Sequence, residues 1–380
     1  MNREELFKWC DAHAAEQLAL LKELAAIPAP SNHEEKRAQF IKEWLENNGA
    51  TGVTIDEALN VLLPFGDCSK KTACVYAAHT DVVFPDTTPL PVKEEGGRLW
   101  APGVGDDTAN VVALMLVAKY LLSKGCQPSE PVLFVFNSGE EGLGNLKGVR
   151  RLFGDRPGQI KEFVSFDGTM DGIVNRAVGS ERWRIKVATC GGHSYGAFGN
   201  PNAIAWMGKL ITMLDAQPVP KAEGRKTTYN FGVISGGTSV NTIAQSAEML
   251  YEYRSDEFSH LALMHDQMKK ALAECDGEKA HFSLELVGQR PCAADVDPAA
   301  EERLLKRCED AIIAAYGKKP ERYSSSTDAN IPLSLGVPAT TLGLYIGEKA
   351  HTREENLEID SLPFGLKVAL LLIVSSHFAK

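Results

Sequence analysis

A histidine and an aspartate two positions apart interrupt the apolar run CVYAAHTDVV at residues 74–83. On a strand, residues i and i+2 share a face, so His79 and Asp81 are neighbours, an imidazole beside a carboxylate that can orient it. Three more polar clusters each follow a strand-like run: Asp106 and Asp107 in GVGDDTAN, Glu140 and Glu141 after PVLFVFNSG, and Asp167 after FVSF. Singly, each has an ordinary reading: a helix N-cap, an exposed acidic loop, a turn former. Their succession at strand ends points further, because open α/β sheets bind ligands outside the carboxyl ends of their strands. So many carboxylates at one rim repel unless cations neutralise them. Imidazole and carboxylate without thiolate form a ligand set suited to catalytic zinc, cobalt or manganese. Two ions sharing a bridging carboxylate need about five side chains; His79 is then a ligand and Asp81 the acceptor that orients it.

The elements that must hold these groups follow two rhythms. Up to about residue 175 helical patterns (15–26, 33–47, 108–125) alternate with short β-rich runs (73–78, 131–136, 162–166) that lack polar alternation. Such runs read as strands buried on both faces, a mostly parallel sheet between helices. Past residue 180 the order becomes strand, helix, strand, strand, helix, strand (WRIKVAT, NAIAWMGKLITMLDAQ, YNFGVIS, AEMLYEYR, EFSHLALMHDQMKKALAEC, HFSLELV). That is the ferredoxin-like, split βαβ arrangement of a small α+β domain. The chain then returns to a helix at 299–316, a strand at 340–346 and a final amphipathic helix at 360–379. The expected organisation is an α/β catalytic domain of residues 1–180 and 292–380, interrupted by an α+β domain of residues 181–291.

Composition narrows the partners. With 380 residues, 44% hydrophobic and 24% charged, the chain is long enough for two cores. Fifty acidic against forty basic side chains leave a net charge of -10, which argues against nucleic acid or an anionic membrane as partner. The first residues mix charges into an amphipathic pattern unlike a signal peptide, and the apolar stretches near 111 and 368 are shorter than a membrane span. A cytoplasmic protein is expected. Its eight cysteines, without CxxC spacing, read as reduced, mostly buried thiols rather than metal ligands.

AAHTDVV, GVGDDTAN, NSGEEGLG, SFDG, GGHS, GGTSVNTI and AHTREE occur in an order and spacing that resemble metallopeptidase family twenty, which includes peptidase T, carboxypeptidase G, aminoacylase and succinyl-diaminopimelate desuccinylase. The resemblance covers nearly the whole chain. It implies a zinc-exopeptidase-like catalytic domain with an inserted dimerisation, or lid, domain. It also implies two Zn2+ ions per chain, with Co2+ or Mn2+ as substitutes, bound by His79, Asp106, Glu141, Asp167 and His351, with Asp106 bridging. Glu140 would be the general base, Asp81 the support of His79, and the bond between Asp106 and Asp107 cis. The resemblance further implies that His193 reaches the opposite subunit of a homodimer to stabilise the oxyanion, and that Asn241 and Arg254 grip a substrate carboxylate. Asp328, in SSSTDANIP, is a candidate for a place near the site. One departure is Thr108, where many relatives carry lysine; it leaves every ligand in place but removes a nearby positive charge.

The implied reaction is hydrolysis of an amide bond. The first reading is a cytoplasmic, homodimeric, two-zinc exopeptidase cleaving short peptides, in the manner of a tripeptide aminopeptidase. The second is an amidohydrolase acting on N-acyl amino acids, or a carboxypeptidase. Two readings outside catalysis are a relative that binds metal or peptide without turnover, and a structural dimer whose acidic loops are merely solvated.

Overall fold

The computed structural model describes residues 2–69 and 72–378, and the chain divides into two compact units, Met1–Ala177 with Ala294–Lys380, and Val178–Ala293. In the larger unit eight strands form one sheet, in the order Thr54–Ile55, Val61–Phe65, Val132–Asn137, Ala73–His79, Ile160–Phe166, Ala339–Leu342, Gly172–Ala177, Glu321–Ser325. The four central strands from Val132–Asn137 to Ala339–Leu342 run parallel. The sheet turns antiparallel on both sides of them, at Val61–Phe65 and at Gly172–Ala177.

The strands in the middle are apolar throughout because both faces are covered. Ala73–His79 and Val132–Asn137 are buried at every position. Successive side chains point to opposite faces, and they join different cores. Tyr76, Ala78, Phe134 and Phe136 pack with the helices Ala14–Ala25, Glu35–Asn47, Asn110–Ser123 and Leu362–Ile373. Val75, Ala77, Leu133 and Val135 pack with Lys147–Asp155 and Asn330–Ser334.

Helix boundaries follow local chemistry. Asp297 accepts a hydrogen bond from the Ala299 amide, Pro298 takes the first helical position, and Gly317 at φ 80° ends Pro298–Tyr316. The helix Asn110–Ser123 is buried nearly all round, which suits a helix laid directly on a sheet and roofed by others. The last helix, expected as amphipathic, is likewise buried on most sides over Leu362–Ile373. The segment Ile359–Phe378 is long and apolar enough to cross a membrane by composition, yet more than half of it is buried inside the protein.

The smaller unit is an antiparallel sheet in the order Thr227–Gly236, Ser246–Ser255, Gly179–Ala188, His281–Arg290. Counting strands along the chain gives 2-3-1-4, the ferredoxin-like order. Ile185, Val187, Met249, Tyr251 and Tyr253 form its core with Met207, Leu210, Met264 and Met268 of the helices Ala203–Asp215 and Phe258–Cys275.

Candidate metal centre

The parallel strands deliver their polar ends to one edge. His79 is the last residue of its strand and pairs with Asn137, the last residue of the neighbouring one. Glu140 and Glu141 follow three and four residues later. Asp167 comes directly after Ile160–Phe166, and its amide donates to Leu342 O at the end of the fourth strand (3.0 Å).

Asp106 stands at the middle of what converges there. His79 Nε2 lies 3.1 Å from Asp106 Oδ1, and His351 Nε2 lies 3.0 Å from Asp106 Oδ2 and 3.0 Å from Glu141 Oε1. The carboxylate thus presents one oxygen to each imidazole. Donor atoms of His79, Asp106, Asp107 and Asp167 gather within 4.8 Å of one another, as do those of Asp106, Glu141 and His351, and those of His79, Glu140 and Glu141. The His79 side chain is 1% exposed, Asp106 16% and His351 55%, so the centre opens to solvent on the His351 side.

Asp107 is occupied otherwise: its carboxylate accepts from the His79 amide (2.8 Å) and from Asn110 Nδ2 (2.5 Å). The bond between Asp106 and Asp107 is cis, as the resemblance implies. Asp81 Oδ1 lies 3.4 Å from His79 Nδ1, which also contacts Asp81 O at 3.1 Å. Its two oxygens further accept the amides of Glu140 and Glu141 (3.0 Å each) and the Ser31 hydroxyl (2.7 Å). Asp81 therefore ties the glutamate loop to the strand that bears His79.

Several supporting residues were not foreseen. Glu355 accepts the amides of Gly103 (3.0 Å), Gly105 (2.8 Å) and Asp106 (2.8 Å) and so shapes the loop that carries the central carboxylate. Its spacing, four residues after His351 in AHTREEN, was the available signal. Gly103 in that loop has φ 72°, and a Cβ there would meet Val82 at 2.3 Å. Ser31, Asn110 and Arg37 carried no signal, since a serine, an asparagine and a helix arginine are ordinary where they stand. Arg37 answers the departure at position 108: its guanidinium is buried and donates to the Thr108 hydroxyl (3.1 Å).

The electrostatics favour added positive charge. Burial opposes protonation of His79, but Asp107, Asp106 and Asp81 hold its imidazole well above the ordinary range. The carboxylates of Asp106 and Glu141, each with an oxygen 3.0 Å from its Nε2, raise His351 to about 11. Burial, with Asp106 close by, pushes the Asp167 carboxyl well up, and burial with Asp106 and Glu140 raises Glu141 to about 7. A centre that binds protons against desolvation is short of cations. Glu141 Oε1 is buried and makes no hydrogen bond of good geometry, with the His351 Nε2 charge 3.0 Å away. An orphaned buried carboxylate oxygen beside imidazole nitrogens fits divalent metal.

A second buried cluster makes the contrast. Cys74, Glu162 and His377 also lie close enough to hold an ion. There, however, Arg307 pairs with Glu162 (2.6 Å), Lys161 pairs with Glu130 (2.6 Å), and the Tyr76 hydroxyl lies 2.8 Å from His377 Nε2. Charges already balance, so this cluster reads as packing.

Of the four remaining candidates, three lie in the smaller unit. His193 is exposed, and its strand pairs with Thr242; the Ser194 amide donates to Asn241 O at 3.0 Å, so His193 and Asn241 are neighbours. Arg254 lies towards the other end of Ser246–Ser255, its guanidinium forked onto Glu252 by two 3.1 Å hydrogen bonds. Asp328, in the larger unit, is fully buried, accepts from Asn137 Nδ2 (2.6 Å), and keeps Oδ1 without a partner. All eight cysteines are free, six of them buried.

Known proteins share this architecture. The chain is 38% identical over 365 residues to a putative [LysW]-lysine/[LysW]-ornithine hydrolase of Pyrobaculum aerophilum, covering 93% of this chain and 96% of the relative. It is 23% identical over 351 residues to a putative succinyl-diaminopimelate desuccinylase DapE of Mycobacterium tuberculosis, covering 91% and 94%. Its fold matches aminopeptidase PepT from Bacillus cereus with a TM-score of 0.74 at 20% identity, over 95% of this chain and 98% of that one. It also matches a dinuclear metal binding peptidase from Bacillus subtilis with a TM-score of 0.68 at 17% identity, over 96% and 99%. The model of peptidase family M20/M25/M40 matches residues 75–375, a span that takes in His79, Asp106, Glu140, Glu141, Asp167 and His351, and the chain belongs to that family.

Proposed function

We propose that this M20 hydrolase is a two-zinc exopeptidase that cleaves short peptides in the manner of a tripeptide aminopeptidase, with Co2+ or Mn2+ as alternative ions. The observation that carries it is the pair of imidazoles set on opposite oxygens of Asp106. His79 and Asp167 would hold one ion, Glu141 and His351 the other, and Asp106 both. Bound there, the ions would acidify a water and polarise the scissile carbonyl. Glu140, 5% exposed and fixed through its amide to Asp81, takes the proton from the attacking water and returns it to the leaving amine. His193 would serve the oxyanion in the site of a second copy, and Asn241 and Arg254 a substrate carboxylate. A cytoplasmic homodimer joined through the smaller, inserted unit completes this reading.

A second substrate class has its own support, the 38% identity to a putative hydrolase of [LysW]-lysine and [LysW]-ornithine. Under that reading the same centre releases an amino acid from an N-acyl amide. Metal-loaded protein assayed on a panel of tripeptides, N-acetyl and N-succinyl amino acids, and N-acylated lysine and ornithine separates the two. Preference for tripeptides with a free amino terminus is expected; turnover confined to acylated amino acids would transfer the assignment to the second class. Protein that holds two ions and cleaves none of these would be a binding relative without turnover.

A further inference from the structure

Arg37 is the unusual group behind the centre. It lies on the helix Glu35–Asn47 and is 1% exposed, as few arginines are. Its Nε donates to Ile27 O (2.8 Å), and its Nη1 donates both to Thr80 O (3.0 Å) and to Thr108 Oγ1 (3.1 Å). Thr80 is the residue between His79 and Asp81. Thr108 comes two after Asp106, and its own hydroxyl donates to Gly103 O (2.5 Å), closing the loop on which Asp106 rides. One guanidinium therefore joins the strand end that bears His79 to the loop that bears Asp106.

We propose that Arg37 is a positioning residue for the metal centre, a buried fork that fixes the His79 strand end against the Asp106 loop so that both present their ligand atoms in register. Asp81, Glu355 and Asp107 stand near enough to keep the guanidinium charged against its burial, and it sets a fixed cation behind the carboxylates that orient the ligands. Lysine could supply the charge but not the fork, since an ammonium is a point charge on a flexible stem. Residues that orient metal ligands without touching the ion act on affinity through geometry.

The inference rests on the two-metal reading, and the experiment keeps the two apart. Metal-free full-length protein is titrated with Zn2+ in competition with a chromophoric chelator, for the parent, Arg37→Met, Arg37→Lys and Thr108→Val, with circular dichroism confirming the fold of each. A parent that takes up two ions is expected, with Arg37→Met weaker by about 10–100-fold and Arg37→Lys recovering part of the loss. A parent that binds no ion overturns the metal reading. A parent that binds two, with a folded Arg37→Met binding them equally well, overturns the role of Arg37 alone. Should Arg37→Met fail to fold, Thr108→Val removes one arm of the clamp while leaving the arginine; a smaller loss of affinity is expected, and unchanged affinity overturns the proposal.

Discussion

At the scale of single residues, two groups adjacent in sequence divide the chemistry under the proposed reading. Glu141 points an oxygen at His351, whereas Glu140 gathers with Glu141 and His79. Glu140→Gln keeps size and the hydrogen bond from its backbone N–H to Asp81 but cannot carry a proton, so kcat is expected to fall by about 10²–10⁴-fold with metal content unchanged. Near-parent turnover in that variant would remove Glu140 from the base role. The ligands divide differently. If the proposed ligand sets hold, elemental analysis of desalted His79→Ala and of His351→Ala is expected to find one ion per chain where the parent holds two, because each removes a ligand from only one set. Asp106→Asn serves neither set as a bridge and is expected to lose both; two ions retained in it would defeat the bridging assignment. Under the proposed assignment uptake displaces protons, because Asp106 and Glu141 raise His351 to about 11 and His79 is held well above its ordinary value. Affinity therefore falls as pH falls, and a weakly buffered solution should acidify as metal is added.

At the scale of elements, what was legible in the sequence was what repeats locally. ACVYAA, PVLFVF and EFVSF announced the parallel centre of the sheet, and the polar groups at their ends announced the site. Thr54–Ile55, Gly172–Ala177 and Glu321–Ser325 went unread: they are short or rich in polar side chains, and pairing with neighbours rather than an apolar run makes them strands. Arg37 and Glu355 were hidden for another reason, since their hydrogen bonds span 43 to 71 and 249 to 252 positions respectively at the centre. His377, which belongs to no motif, is a third residue whose place depends on distant partners: it is fully buried with Nε2 against the Tyr76 hydroxyl. Burial outweighs Glu162 and Glu130 and holds its imidazole below the ordinary 6.5. The unfolded chain then takes up the proton first, so this group's contribution is complete above 6.5 and declines as pH drops through the depressed value. Denaturant unfolding of the parent and His377→Gln at about pH 7 and about pH 5.5 should show the parent losing more stability on acidification. Equal losses would clear His377 of any part in the acid response.

At the scale of the whole molecule, one unit holds the entire candidate ligand set while the other holds His193, Asn241 and Arg254. The larger unit should therefore respond to metal: ions that bind only the folded state stabilise it by about 2.7 kcal/mol at a hundredfold excess over Kd, and a chelator should lower its melting temperature. For the proposed homodimer the smaller unit offers an edge. Its outer strand Thr227–Gly236 pairs on one side only and exposes Val233 and Ile234, and an unpaired apolar edge is a template for another chain. If His193 serves the site of the partner, two dead variants can rescue each other. A chain with His193→Ala retains Glu140, and a chain with Glu140→Gln retains His193. In a mixed dimer the first chain's site keeps its base and receives an intact histidine from the second, while the other site lacks both. Random reassortment of equal amounts places half of the molecules in mixed dimers with one competent site each, so about a quarter of parental activity should return. A histidine acting within its own chain leaves both sites of the mixed dimer broken, and mixing would restore nothing. Sedimentation of the parent supplies the control, for a monomer would end the argument before any mixing.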